Sequence, residues 1–568
     1  MKLLIVGLDG ASLDLVLPWV RAGTMPGLAR LIREGGCGTL ESVPNMRSAA
    51  AWTSFQTGTN PGKHGILEFY ERIPHTYDIR FVNALSREGA SFFRIASEAG
   101  RRVVVVNVPM TFPAEEVNGV LIAGLDAPGK NSPGFCRPPE LIRELEAAQG
   151  EYIIEPGLTG CIVNGEIDKA AQLLFEEIES KKRSTRYLMQ RYPWDLLVTV
   201  FRSTDAAHHC FWKYQDPTHP QHDPAEAEKY GGVIREAYQR IDAFLQEVLE
   251  QAGPDTLILV VSDHGCGPKH PAGNQLNSWL ESAGFLAYGS AKGGGGNPFT
   301  RALGGMYRWT IAKTPRRTKE ILWRLLPGFR DRVQSRLCFA GIDWRRTRAF
   351  SDTLFPTIWI NVRGREPLGV VEPGDEYDRL CAEITAALMD VRDERSGERI
   401  VDRVLHRREI YSGPHVDKAP DLLVRWREDI PIQGIRLPGR AGAAGNAERG
   451  ATPFIPGEDY RVISGDHCLQ GLLLFRNPLG KGAGVEGSGA SLLDIAPTAL
   501  YALGVPVPEG LDGRVLTELF PESFLRDHPV SFSGPGAPTV PSRSEGKDYG
   551  DEEEESVKER LRSLGYLE

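Results

Sequence analysis

No stretch of this chain approaches the roughly 20 consecutive apolar residues that a membrane-crossing helix needs, which argues against a helical span. There is no cationic excess either. Lys and Arg number 66 against 75 Asp and Glu, a net charge of −9, whereas proteins that neutralise nucleic-acid phosphates are usually basic. No nucleic-acid partner is therefore expected. The eight cysteines (Cys37, Cys136, Cys161, Cys210, Cys266, Cys338, Cys381 and Cys468) show neither pairing nor CxxC spacing, which suits reduced thiols better than a disulfide framework. The apolar start has no small-residue cleavage site after it, and removing it as a leader would take away what reads as the first core strand. These features together point to a cytoplasmic protein. No internal repeat is present.

What is present is an ordinary globular composition, 41% hydrophobic and 25% charged, arranged as buried strands alternating with helices. Lys2 to Leu8 is a continuous apolar run ending at Asp9-Gly10, the pattern of a buried parallel strand feeding a turn. Alone, Asp9 reads as a turn former. A helix opened by Pro26 follows, and then an Ala-rich helix from Ser48, read as its N-cap, to Gly58, its stop signal. Further strands are expected at Arg102 to Val108, Asp195 to Val200 and Thr256 to Val261, with a helix between Ala225 and Leu249. This alternation implies an α/β fold: a mainly parallel central sheet with helices on both faces.

Later segments differ. Between Arg301 and Arg348 thirteen cations stand against Glu320, Asp331 and Asp343, so residues 291–344 read as a basic, mostly helical insertion after the glycines at 293–296. It is either a helical face packed on the body, or a cap that meets anionic substrates or an anionic membrane surface. Strands are expected again at 357–361, 421–425 and 472–475, and a helix at 494–503 with Pro497 in its first turn. Beyond Phe520 the Pro/Ser-rich and then acidic tail reads as disordered, ending in a short amphipathic helix at 557–567. The expected division is a core of residues 1–290 with 345–516, the insertion, and the tail 517–568.

Ligands in open α/β sheets collect at the carboxyl ends of strands, and here those ends carry Asp9, Asp205, His209, Asp263 and His264, with His467 and Ser48 at similar positions. Asp205 and His209 are four apart, so one helical turn places both on the same face. Three aspartates and three histidines suit Zn²⁺, and also Mn²⁺ or Fe. His208 reads as pointing away from such a site, and His64 as a turn residue. Cys210, Cys266 and Cys468, each close to a ligand-type histidine, read as small packing residues or as redox-sensitive neighbours of a metal.

The same pieces carry a resemblance. Leu3 to Gly10, Ser48 with Trp52 to Gly58 and His64-Gly65-Ile66, Asp205 to His209, Ser262 to Gly265, Gly465 to His467, Leu493 to Leu500 and Asp512 to Arg514 together resemble the alkaline phosphatase superfamily, in its type I phosphodiesterase/nucleotide pyrophosphatase branch. The resemblance implies an alkaline phosphatase-like core and two divalent cations, one held by Asp205, His209 and His467, the other by Asp9, Asp263 and His264 with Ser48 as nucleophile beside it. It implies cleavage of phosphodiesters or phosphomonoesters of small molecules or lipid headgroups through a phosphoseryl intermediate. Arg47, Asn107 and Lys269 are the candidate substrate contacts. Phosphomutase or phosphotransferase chemistry at the same site is the alternative, as is a metal-stabilised scaffold without activity. Ser48 lacks the C/S-x-P-x-R setting that sulfatase chemistry requires.

Overall fold

The computed structural model describes residues 1–289, 341–352, 356–437, 463–480, 489–534 and 549–563. The basic stretch from 291 to 340, including Arg316, Arg317 and Lys319, lies outside these residues, as does the Gly/Ala loop expected at 438–450.

The centre of the molecule is β1 (Lys2–Leu8), whose residues after Lys2 are all buried. It is flanked on both sides by parallel partners. One is β8 (Leu196–Phe201), with Ile5 opposite Val198, and the other is β9 (Thr256–Val261), with Ile5 opposite Leu259. Beyond β8 the parallel ladder continues through β5 (Val103–Val108) and β6 (Gly119–Ala123), and a short antiparallel strand, β7 (Cys136–Arg137), closes that edge. On the other side β16 (Gln470–Arg476) runs antiparallel to β9 and to the edge strand β2 (Gly36–Glu41). The eight-stranded order is β2-β16-β9-β1-β8-β5-β6-β7. Every residue of β5, β8 and β9 is buried, which explains their unbroken Val/Leu/Ile runs: a strand covered by helices on both faces has no polar face. The two faces form separate apolar cores, one containing Leu4, Val6 and Ile258, the other Leu3, Ile5 and Leu259.

Three smaller strand pairs surround the sheet: β3–β4 (Tyr70–Arg72 with Ile79–Phe81), β10–β15 (Gly265–Pro268 with Gly465–Cys468), and β17–β18 (Val507–Pro508 with Phe532–Ser533). A second, four-stranded sheet was not foreseen from the sequence. It comprises β11 (Ala349–Phe350), β12 (Thr357–Ile360), β13 (Val401–His406) and β14 (Leu422–Trp426) in the order β11-β12-β14-β13. With the helix Asp375–Leu388 it encloses a third apolar core around Ile358, Ile360, Ile384 and Leu422.

Three expectations change. The helix expected across 225–249 is two, Pro224–Tyr230 and Val233–Gln251, because Gly231 and Gly232 interrupt it. In the tail, the described residues 520–534 and 549–563 are ordered. The helix Glu522–Asp527 stacks Phe524 on Phe520 and on His528, with ring centroids 5.6 and 4.3 Å apart, and the Tyr501 hydroxyl donates to the His528 carbonyl at 2.6 Å. Aromatic burial there outweighs the loop-like composition. The terminal helix, Asp551–Ser563, docks on the body. Val557 and Leu561 are buried in the main core, the Tyr549 hydroxyl donates to the Asp126 carbonyl at 2.9 Å, and Arg560 donates to the carbonyls of Leu125, Ala127 and Pro128. Leu561 is fully buried, so Leu561→Ala is expected to cost about 2–5 kcal/mol in denaturant unfolding; a cost near zero would mean that this helix does not dock.

Candidate active site

The strand order explains how residues distant in sequence meet. Because β9, β1 and β8 are adjacent and parallel, their carboxyl ends lie side by side at one edge of the sheet. Asp9 follows β1, Asp263 and His264 follow β9, and the helix Ser203–Gln215 that follows β8 carries Asp205 and His209. The antiparallel β16 begins at that same edge, and β15 just before it brings in His467. β2, which is parallel to β1 in sense, ends there too and leads into the helix Ser48–Thr57.

The six ligand-type residues sort into two groups, Asp205 with His209 and His467, and Asp9 with Asp263 and His264, the donor atoms in each lying within 4.8 Å of one another. In the first, Asp205 Oδ1 is 3.1 Å from His209 Nε2 and 3.6 Å from His467 Nε2. In the second, His264 Nε2 is 3.5 Å from Asp9 Oδ1 and 3.3 Å from Asp263 Oδ2. The groups adjoin, since the rings of His264 and His467 stack with centroids 3.8 Å apart. The Ser48 hydroxyl lies 3.3 Å from His264 Nε2.

Each histidine is held in the same manner. Nδ1 lies 2.8 Å from the Gly465 carbonyl in His209, 2.9 Å from the Gly265 carbonyl in His264, and 2.7 Å from the Met46 carbonyl in His467. A carbonyl can only accept, so Nδ1 carries the proton and Nε2 presents its lone pair to the cluster, the arrangement used by metal-ligating histidines. Met46 reaches its position with φ of 50°, a left-handed conformation a non-glycine residue avoids unless its surroundings impose it. The carboxylates are also braced. Asp9 Oδ2 accepts from Trp52 Nε1 at 3.0 Å, Asp263 Oδ1 from the Gly10 amide at 3.2 Å, and the Asp9 carbonyl from the Thr204 hydroxyl at 2.6 Å. Two glycines make room for this. A Cβ on Gly7 would lie 2.6 Å from the Trp52 ring, and Gly10, at φ +70°, has Asp205 Oδ1 only 3.2 Å from where a Cβ would be.

Three carboxylates buried this close repel one another. Burial, reinforced by Asp263 and Asp205, pushes Asp9 well above the usual carboxylate range. Burial likewise pushes Asp263 up to about 8. In Asp205 burial acts in the same direction, but the adjacent His209 outweighs it and holds the group low. Burial and the neighbouring His264 push His467 well below its ordinary value, into the neutral form that ligates. Asp9 Oδ1 and Asp263 Oδ2 receive no hydrogen bond from outside the cluster. Buried, undonated carboxylate oxygens facing imidazole Nε2 atoms fit divalent cations of the zinc, manganese or iron type.

The remaining candidates fall around this cluster. Ser48 is not the N-cap of its helix. Arg47, extended at φ −87° and ψ 130°, occupies that position, and Ser48 is the first helical residue, its hydroxyl within reach of His264. Arg47 is buried and ion-paired to Glu68. Asn107 donates its amide to the Val200 carbonyl at 2.9 Å, a bond across the sheet. Lys269 follows β10, its amide bonded to the Ser464 carbonyl. His208 is turned to the Tyr238 hydroxyl at 3.1 Å and is pushed down to about 3 by burial. His64 joins Ser54, at 2.9 Å, to the Ile66 amide, as a turn residue does. Burial pushes the Cys210, Cys266 and Cys468 thiols up, so they stay protonated, in keeping with a packing role. The braces contributed by Trp52, Thr204 and Met46 were not legible in the sequence. Trp52 falls one helical turn after Ser48, a spacing that could have suggested a shared face.

Residues 3–434 match the profile of the type I phosphodiesterase/nucleotide pyrophosphatase family. The chain belongs to that family. It is accordingly an enzyme of phosphoric ester hydrolysis, in a family that depends on metal ions. Similar solved structures include the phosphonoacetate hydrolase of Sinorhizobium meliloti 1021, at 16% identity over 88% of this chain and 94% of that one, with a TM-score of 0.48. Human ectonucleotide pyrophosphatase/phosphodiesterase 5 is another, at 9% identity over 89% and 95%, with a TM-score of 0.44. A search of curated proteins finds no match. The family match ends before His467, which the fold brings into the cluster as the resemblance implied.

Two outcomes are expected. Gly7→Ala pushes the new methyl against Trp52 and should cost about 1–3 kcal/mol while loosening the Trp52–Asp9 bond; unfolding followed by tryptophan fluorescence reads both, and an unchanged midpoint would refute the close approach. In metal-free protein the raised Asp263 favours the protonated folded state. Its stabilising contribution is full below the unfolded value of about 3.9 and is lost as pH rises toward about 8. The Tm of chelated protein should therefore fall across that window, with a smaller slope in Asp263→Asn; equal slopes would refute the assignment.

Proposed function

We propose that this enzyme cleaves phosphate esters by in-line attack of the Ser48 hydroxyl on phosphorus, through a phosphoseryl intermediate. In this reading Asp205, His209 and His467 hold one divalent cation and Asp9, Asp263 and His264 hold another, Zn²⁺ being the ion that this donor set suits best. The observation that carries the reading is the position of Ser48: its hydroxyl lies 3.3 Å from His264 Nε2, at the start of a ten-residue helix, beside both ligand groups.

The bound cations would supply the acidity a serine hydroxyl needs to ionise near neutral pH and positive charge for the departing oxygen. The protein's own residues do the rest. The first-turn amides of Ser48–Thr57 and the positive end of its dipole face the phosphoryl oxygens. Trp52, the Gly10 amide and the three backbone carbonyls keep the donors oriented. The Ser48 oxygen forms a bond to phosphorus as the bond to the leaving alcohol breaks, and the alcohol departs with a proton. Water then attacks the phosphoserine, restores the serine and releases the phosphate. Arg47, immediately before Ser48, is the leading candidate for a substrate contact, with Asn107 and Lys269 as further ones.

In the same reading residues 1–290 and 345–516 carry the chemistry, and the basic segment 291–344 meets anionic groups of the substrate or of a membrane surface. The described cysteines form no disulfide with one another, in keeping with the cytoplasmic setting of this reading. No helix among the described residues is long and apolar enough to cross a membrane.

The test uses bis(p-nitrophenyl) phosphate and p-nitrophenyl phosphate. Turnover of at least one should fall about a thousand-fold or more in Ser48→Ala, vanish on chelation and return with added Zn²⁺ or Mn²⁺. Intact-mass analysis of a quenched reaction should find one phosphoryl adduct on the wild type. Persisting turnover in both the variant and the chelated enzyme would sink the reading.

A further inference from the structure

Where β8 ends, the chain breaks two local preferences at once. The helix Ser203–Gln215 opens on Arg202, which stands at the N-cap position and makes no capping hydrogen bond with its side chain. Helix starts favour small polar or acidic residues, and the positive end of the dipole disfavours a cation there. Arg202 is also only 1% exposed, and a guanidinium is costly to bury unless acids face it. Breaches of local preference that the surroundings compensate collect at functional sites.

The acids that face Arg202 show what it holds. Asp205, one helical turn further on, divides its two oxygens. Oδ1 is the oxygen beside the imidazoles, 3.1 Å from His209 Nε2 and 3.6 Å from His467 Nε2. Oδ2 is the oxygen facing Arg202, 3.9 Å from Nη1. On its other side Arg202 pairs with Glu155, 4.0 Å from Nη2, and its charge reaches Glu177 of the helix Ile167–Arg191. Lys181, a second buried cation in this region, is engaged elsewhere: it donates to the Ile153 carbonyl and covers the Tyr152 ring at 3.8 Å. The guanidinium of Arg202 thus lies behind the first ligand group, between one of its carboxylates and the acids beyond.

We infer that Arg202 is a positioning residue for Asp205. It engages Oδ2, so that Asp205 offers a cation Oδ1 alone and its group presents three donor atoms, the number that leaves a coordination position for substrate. The inference rests on the cation reading of Asp205, His209 and His467, and not on the Ser48 step. A purely structural ion pair between helices would alter stability and leave metal affinity alone. The test titrates chelated full-length protein with Zn²⁺ against a chromogenic competing chelator, and two binding events are expected in the wild type. Arg202→Gln should weaken one event about ten-fold or more and leave the other within about two-fold, and Arg202→Lys, which keeps the charge, should recover most of the loss. Arg202→Met/Glu155→Gln removes the cation and a facing acid together; it should give the same selective loss, and it serves if Arg202→Gln fails to fold. Adding Arg202→Gln to Asp205→Asn should move no remaining affinity by more than about two-fold. Affinities unchanged in these variants, two events weakened alike, or the full loss repeated in Asp205→Asn overturns the role of Arg202. Wild-type protein that binds fewer than two Zn²⁺ overturns the cation reading as well, whereas two bound ions without turnover of either p-nitrophenyl ester overturns the proposed hydrolysis alone.

Discussion

The arrangement depends on one electrostatic constraint: Asp9, Asp205 and Asp263 are all buried in a single cluster. At an effective dielectric near 20, two like charges 4 Å apart repel by about 4 kcal/mol, and removing each from water adds to that cost. Protonation is one relief, and the raised positions of Asp9 and Asp263 express it. Cation binding is the other, and the histidines are built for it, each with Nδ1 committed to a carbonyl and Nε2 turned inward. The surrounding packing can be understood as the scaffold that keeps these groups from moving apart.

That scaffold is topological before it is local. Parallel neighbours β9, β1 and β8 bring three strand ends to one edge, and an antiparallel β16 starts where they finish. Gly7 lets Trp52 lie against the central strand and bond Asp9, so the helix bearing Ser48 is keyed to the strand bearing the first carboxylate. The second sheet has its own apolar core and meets the catalytic body along a cavity behind Arg47.

Much of this was legible in the linear chain, for a physical reason. A strand buried on both faces must be apolar throughout, so β1, β5, β8 and β9 stand out as unbroken runs. A carboxylate at the end of such a run has few structural explanations once several runs share it. Less was legible where tertiary contacts outvote local composition. The strands of the second sheet are short, and β13 is partly exposed, so β12 and β14 were expected as strands with no pattern long enough to mark a separate unit. The folded segment after Phe520 is held by stacked aromatics that its loop-like composition conceals. Ser48 has the residue type of a cap, yet its hydroxyl is claimed by His264 across 216 residues of chain.

The sequence by itself determined which residues were available for chemistry, because strand ends, helical spacing and ligand type are local properties. Asp205 and His209 share a helix face by periodicity alone. Tertiary structure decided what those residues face. It brought His467 beside Asp205 and His209, and His264 beside Asp9 and Asp263, the grouping that the family resemblance implied. It turned each Nε2 inward, and it sized the cavity beside Arg47. These depend on strand order and on the packing of one sheet against another, and no local pattern encodes distances between segments hundreds of residues apart.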